Sequence, residues 1–295
     1  MAMKTLSNVV LLVSLVYQMT LAMSLSIQDC AVVGCGVLGT SLCKQMLASP
    51  EFSDCKVVGI TKTNNRHSTI LSEIGPNERF QVKTFDECEG MKFQNVVFSA
   101  PPSGFEDYAA SVKDCITRLW AGPSAGGVFV FTSSGGIYGP GEAELVVVNE
   151  HSPIPDPSTN PRSARLVAAE KAVLENGGAC LRLAGLYTME RGAHNFWLTS
   201  GKDVSGREDG IINLLHYDDA AGAALAAVVA GPSVVSGNVF LISDGNPLTR
   251  RQICESTLKS KQYREMNMPQ FVGSNNDPVG KIYDGSASNK ALKWD

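Results

Sequence analysis

Two short stretches hold the residue types that could do chemistry. The first is Gly34-Cys35-Gly36-Val37-Leu38-Gly39, a GxGxxG spacing that follows the apolar run "CAVV" and opens a helical pattern. In that setting Gly34 permits a tight turn. Gly36 lets the backbone approach a pyrophosphate, and Gly39 lets helix and strand pack closely. The helix N-terminus beyond it favours phosphate charge. The second stretch, "KVVGITKTNNRHS", ends the next apolar run, where an NAD site wants a carboxylate for the ribose 2′-hydroxyl. No acid lies between Cys55 and Ser72; Thr61, Lys62, Thr63 and Arg66 stand there instead. Hydroxyls and cations suit a 2′-phosphate, so the expected cofactor is NADP(H) rather than NAD(H).

These residues need a parallel sheet to position them. Seven apolar runs recur along the chain: "CAVVG", "KVVGIT", "NVVFSA", "GVFVFTSS", "ACLRLAGLY", "GIINLLHY" and "GNVFLIS". Continuous Val, Ile and Phe, rather than alternation, marks strands buried on both faces. Helices are expected at 39–48, 105–121, 161–175 and 218–229, and this alternation predicts an α/β, Rossmann-type doubly wound parallel sheet. The proline-rich segment "NEHSPIPDPSTNP" reads as a surface loop that ends in a helix start, with Asn160 as N-cap and Pro161 at the first helical position. Residues 24–185 are expected to form the dinucleotide domain, its sheet completed by about 211–243. The irregular stretches 186–210 and 244–295 are expected to form a small substrate lobe over the C-terminal edge of the sheet.

Composition sets the outer limits. The chain has 295 residues, 44% hydrophobic and 18% charged, ample for such a core. A formal charge of −4, with no basic run, gives no reason to expect nucleic acid or an anionic membrane. The eight cysteines form neither a CxxC pair nor a zinc-type cluster, so no metal site is expected, and reduced thiols are expected over disulfides. Residues 1–23 read as a leader: Lys4 precedes the apolar run 9–16, and Thr20 and Ala22 offer a small-residue cleavage pattern. The run is short for a membrane span. As a leader it is expected to direct the chain to a cofactor-holding organelle, with a plastid reached through the secretory system as one route. If Met23 is instead the start, the protein is cytoplasmic.

Four further stretches, "FTSSGGIYG", "LRLAGLYTMERG", "INLLHYDDAAGA" and "GKIYDGSASNKALKW", resemble the extended and atypical short-chain dehydrogenases/reductases. The similarity is closest to the NAD(P)-dependent epimerase/dehydratase-like subgroup of the bacterial YeeZ protein. It covers nearly all of residues 29–295. The resemblance implies that Ala100, Pro101 and Pro102 line the cofactor. It implies that Ser133 or Ser134 sits beside the reacting carbon, and that Leu186, Tyr187 and His216 flank the nicotinamide and substrate cleft.

The family's Tyr-x-x-x-Lys pair is absent. "NPRSARLVAAEK" aligns with the helix that carries it, and the two positions read Pro161 and Arg165. Arg165 keeps a positive charge for ribose hydroxyls, but a guanidinium does not give up its proton and is no general acid near neutrality. No tyrosine lies between Gly139 and Leu186, which leaves Tyr138, Tyr187 and His216 as candidate donors beside Ser134. His151 and His194 are expected in exposed polar loops. Asp218 and Asp219 are expected to cap a helix rather than to hold a metal. Two function classes follow. The first is an NADP-dependent oxidoreductase, epimerase or dehydratase acting on a small polar substrate, a homodimer being compatible with it. The second is a non-catalytic NADP(H)-binding sensor or assembly factor.

Overall fold

The computed structural model describes residues 29–294, so the expected leader lies outside the described residues. No described helix is long and apolar enough to cross a membrane.

The chain begins with β1 (Cys30–Val33), α1 (Val37–Ala48), β2 (Val57–Thr61), α2 (His67–Ile74), β3 (Phe80–Thr84) and β4 (Asn95–Phe98). There follow α3 (Tyr108–Leu119), β5 (Phe129–Ser134), β6 (Val146–Val148), α4 (Pro161–Glu175), β7 (Ala179–Leu183) and β8 (Gly185–Tyr187). Next come α5 (Ala193–Thr199), β9 (Ile211–Ile212), β10 (Leu214–His216), α6 (Tyr217–Ala230), α7 (Pro232–Val235) and β11 (Val239–Ile242). The chain closes with β12 (Leu248–Thr249), α8 (Arg250–Leu258), β13 (Lys281–Tyr283) and α9 (Ser286–Leu292).

Seven strands form one sheet in the order β11-β7-β5-β4-β1-β2-β3, and every pair in it is parallel. The order reverses between β1 and β4. This is a Rossmann-like α/β fold, as the alternation of runs predicts. The side chains of β1 show why both faces must be covered. Cys30 and Val32 join the core under α1 and α6, while Ala31 and Val33 join the core under α3 and α4. Helix α6 packs against α1, and its Ala220, Ala221, Ala223, Ala224 and Ala227 are fully buried in the core on that face of the sheet.

Six of the seven predicted runs supply strands of this sheet. The seventh, "GIINLLHY", splits into β9 and β10, which pair elsewhere: β10 lies parallel to β8, and β9 antiparallel to β12. The sheet's remaining strand is β3, whose sequence Phe-Gln-Val-Lys-Thr is only partly buried because it is an edge. A third small pair joins β13 to β6.

Helix boundaries differ in detail from expectation. Helix α4 spans the predicted residues, with the Asn160 side chain accepting from the Arg162 and Ser163 amides. Helix α3 is shorter than 105–121, because Asp107 caps it by accepting from the Ala110 amide. The cap of α6 is His216, not Asp218; its ring accepts from the Asp218 amide, and the two aspartates sit in the first turn. The stretches read as irregular contain α5, α8 and α9. All eight cysteines are buried, and none is paired in a disulfide.

Candidate functional site

The glycine turn joins β1 to α1 as its spacing requires. Gly34 has φ +94, and a β-carbon there would come within 2.8 Å of three Ala100 atoms. The turn is therefore pressed against the segment that follows β4. A β-carbon on Gly39 would strike the Gly34 carbonyl, so this glycine sets how closely helix and turn pack. Gly36 caps α1 at φ −82 and has nothing within 4 Å of where its β-carbon would be. That open space faces outward beside the helix N-terminus.

A cavity of about 980 Å³ opens there, at the carboxyl ends of the strands and at the reversal between β1 and β4. Its size is at the upper end of ordinary ligand pockets, roughly 300–1,000 Å³. From the turn it is lined by Gly34, Gly36, Val37 and Leu38, and from the end of β2 by Thr61, Lys62, Thr63 and Arg66. Ala100, Pro101 and Pro102 form a further wall, with Ser133 and Ser134 from the end of β5 and Leu186 from β8. Pro161 and Arg165, at the positions of the absent tyrosine and lysine, also line it. Gly39 lies behind the turn and does not.

Polar groups in this cavity differ in how fully they are engaged. Thr61 Oγ1 donates to the Thr63 carbonyl at 2.9 Å and lies 2.7 Å from His67 Nε2. Lys62 Nζ donates to the Gly104 carbonyl at 3.1 Å, and Arg66 faces Glu73 at 3.9 Å on the surface. Arg165 Nη2 donates to the carbonyls of Pro102 (2.9 Å) and Phe105 (2.5 Å). Ser134 Oγ accepts from the Gly136 amide at 3.1 Å. The Ser133 hydroxyl oxygen is buried and has no hydrogen-bond partner among the described residues. A buried, unpaired hydroxyl costs free energy unless something meets it.

None of the three candidate donors lines this cavity. Tyr138 is 5% exposed, and its hydroxyl accepts from Arg182 Nη1 at 2.8 Å. Burial raises its pKa, and the Arg182 hydrogen bond and charge only partly offset this. Tyr187 and His216 stand opposite each other on β8 and β10, their rings 5.4 Å apart and nearly perpendicular. Burial raises the Tyr187 pKa as well. Their chain neighbours Leu186 and Tyr217 are the residues that reach the cavity.

His151 is exposed as expected, with a side chain 88% accessible. His194 is not: it is 5% exposed in α5, with Nε2 3.0 Å from the Met189 carbonyl. Sequence reasoning misjudged it because the short helix that buries it has weak periodicity. Reasoning from motifs also passed over Tyr108, Arg162, Arg191 and Tyr217, which line the cavity from α3, α4, the β8–α5 connection and α6. Tyr108 donates its hydroxyl to the Ala100 carbonyl at 2.7 Å, bracing the wall behind the turn. No group of three or more His, Cys, Asp or Glu among the described residues could hold a metal.

No protein-family model matches the chain, and no curated protein matches its sequence. Solved structures do match. A dTDP-glucose 4,6-dehydratase from Streptomyces venezuelae, with NAD bound, aligns at TM-score 0.68 and 18% identity over 90% of this chain and 91% of its own. A dTDP-glucose 4,6-dehydratase from Bacillus anthracis in complex with NAD gives 0.67 at 15% identity over 91% of each chain. A functionally unknown conserved protein from Silicibacter pomeroyi gives 0.67 at 15% identity, over 90% of this chain and 93% of its own. At these identities the likeness is one of fold: a Rossmann-like sheet carried through almost the whole chain.

Proposed function

We propose that this chain is an NADP(H)-dependent enzyme of the atypical short-chain dehydrogenase/reductase kind, near the YeeZ-type subgroup, acting on a small polar substrate. The reaction class is oxidoreduction, epimerisation or dehydration. The observation that carries this reading is the large cavity at the strand reversal, with the glycine turn at one wall and no carboxylate at the end of β2.

The residues present fit a dinucleotide. The clear space over Gly36 would admit a pyrophosphate against the α1 N-terminus, and the unpaired Ser133 hydroxyl offers a buried polar contact. Thr61, Lys62, Thr63 and Arg66 would hold a 2′-phosphate. Ala100, Pro101 and Pro102 would form the wall, and Arg165 would hold the ribose hydroxyls while keeping its carbonyl contacts. Bound NADP(H) would supply or accept a hydride. Ser134 would orient the substrate oxygen. Residues 186–210 and 244–295 would act as the small lobe that covers the substrate. Two of the similar structures are dehydratases with NAD bound, which agrees with a nicotinamide nucleotide in this place.

A specific observation keeps the second class in view. Tyr138, Tyr187 and His216 are absent from the cavity lining, and Arg165 is tied to backbone carbonyls. A protein that binds NADP(H) without turning over would look the same. Thermal shift with NADPH and NADH, followed by a carbonyl and sugar-nucleotide panel read at 340 nm, tests both. NADPH binding with turnover supports the enzyme, binding without turnover supports the sensor or assembly factor, and no binding refutes both.

A further inference from the structure

A second cavity of about 520 Å³ adjoins the first, and Ser134 and Leu183 line both. Arg250 and Lys281 are its only cationic lining residues, and Asp277 its only acid. Neither cation makes an ion pair within 4.0 Å among the described residues, although acids lie nearby in the chain.

Three arginines gather at this edge, and two have carboxylates. Arg207 Nη2 is 2.6 Å from Asp209, and Arg251 Nε donates to Glu208 at 3.0 Å. Among the described residues the Arg250 guanidinium donates to the Arg207 carbonyl, at 3.2 Å, and to no carboxylate. It is also the first residue of α8, where the helix dipole disfavours a cation. The backbone is shaped around its guanidinium. A β-carbon on Gly210 would collide with Arg250 Nη1, and one on Gly206 would come within 3.1 Å of its central carbon.

Lys281 is 5% exposed, and its ammonium donates to the carbonyls of Tyr138 (2.8 Å) and Gly139. Asn213 fixes the strand that carries it, donating to the Lys281 carbonyl at 2.7 Å and accepting from the Tyr283 amide at 2.9 Å. Asp277 is turned to the Ser274 amide at 2.7 Å. Lys281 is thus withdrawn from water and Arg250 half withdrawn, and both line a cavity whose one acid accepts from the Ser274 amide. Such charges are costly unless a counter-charge meets them.

We infer that the second cavity binds an anionic small molecule, with Arg250 and Lys281 holding its carboxylate or phosphate beside Ser134. That this molecule is the substrate rests on the reading of the first cavity as the dinucleotide site; the anion site itself does not. The test is calorimetric titration of the full chain with inorganic phosphate, pyrophosphate and malonate, at matched ionic strength, with and without saturating NADPH. At least one anion binds under NADPH saturation, and phosphates and dicarboxylate are told apart by which one does. Arg250→Gln and Lys281→Gln each weaken that binding by roughly tenfold or more and leave NADPH affinity alone. Arg250 is partly exposed, so its variant reports even if the buried Lys281 change disturbs folding.

The inference is overturned if no anion binds, or if Arg250→Gln binds as well as the unmodified protein. It is also overturned if binding is lost in Gly36→Val but kept in Arg250→Gln, which would place the anion at the glycine turn. Arg250-dependent anion binding without NADPH binding would sink the dinucleotide reading and leave this one standing. NADPH binding without anion binding would do the reverse.

Discussion

Arg182 Nη2 lies 2.8 Å from Glu170 Oε2, and both side chains are almost wholly out of solvent. The pair joins β7 to α4 and holds the Tyr138 hydroxyl through Arg182 Nη1. Removing one partner of a buried pair strands the other charge. Glu170→Ala should therefore cost about 3–5 kcal/mol in urea denaturation. Tyr138→Phe removes one hydrogen bond to a charged group and should cost about 1.5–3 kcal/mol. A loss under 1 kcal/mol for Glu170→Ala would show that the network contributes little.

Cofactor choice is tested at the end of β2. NADPH should raise the melting temperature more than NADH at equal concentration. Arg66→Asp should narrow or invert that preference, because it places a carboxylate where the 2′-phosphate would lie. Equal shifts for the unmodified protein would remove the 2′-phosphate argument.

Gly36 and Gly39 should separate binding from folding. Gly36→Val has room for its side chain and an ordinary φ, so it should fold normally and lose NADPH binding by occupying the pyrophosphate's space. Gly39→Val meets the Gly34 carbonyl and should lower the melting temperature itself. Circular dichroism and calorimetry on the two variants check this; unchanged NADPH affinity in a folded Gly36→Val protein would defeat the turn assignment.

If turnover is found, one group must hand a proton to the substrate oxygen. Tyr187 and His216 adjoin the cavity-lining Leu186 and Tyr217, so a donor role for either requires the cleft to close on substrate. Tyr187→Phe or His216→Asn should then reduce turnover by about two to four orders of magnitude with NADPH affinity unchanged. Tyr138→Phe should act mainly on stability, since that hydroxyl is committed to Arg182. Full turnover in all three single variants would place the donor elsewhere.

Lys281 should also leave a mark on the pH dependence of stability. Burial pulls its pKa from 10.5 down to about 8. Below pH 8 the amine is protonated in both folded and unfolded chains, and the cost of burying it is present in full. Between pH 8 and 10.5 the folded chain has released that proton while the unfolded chain keeps it, so stability rises with pH. Urea midpoints for the unmodified protein and Lys281→Met should diverge in the unmodified protein's favour across this window. Parallel curves would contradict the assignment.

How much of this was legible in the sequence depends on where each residue's partners lie. Strands β1, β4 and β5 were plain because burial on both faces demands unbroken apolar runs. Strand β3 was hidden, since an edge strand with Gln81 and Lys83 carries no such run. The glycine turn could be read because its three glycines answer to neighbours a few residues or one strand away. Arg250 and Lys281 could not, because only the topology brings α8 and β13 to the Ser134 end of β5. Tyr138 looked like a cleft residue from its nearness to Ser134. The structure turns its hydroxyl towards Arg182, 44 residues away in sequence.

The placement of β1 has a consequence for how the chain reaches this fold. It is the first strand of the sheet to be made, yet it is an interior strand, paired with β2 on one side and β4 on the other. Its partners across β4 begin at Asn95, so the pairing joins residues 95 − 30 = 65 positions apart. Until β4 arrives, one side of Cys-Ala-Val-Val has no strand to pair with and only part of the surface that will cover it. Pairings over such distances carry loop-closure entropy before they gain any contact, and they make folding slow. During synthesis the strand that leads into the glycine turn therefore waits for its second partner until β4 is made, and an unpaired strand edge is open to pairing with other chains.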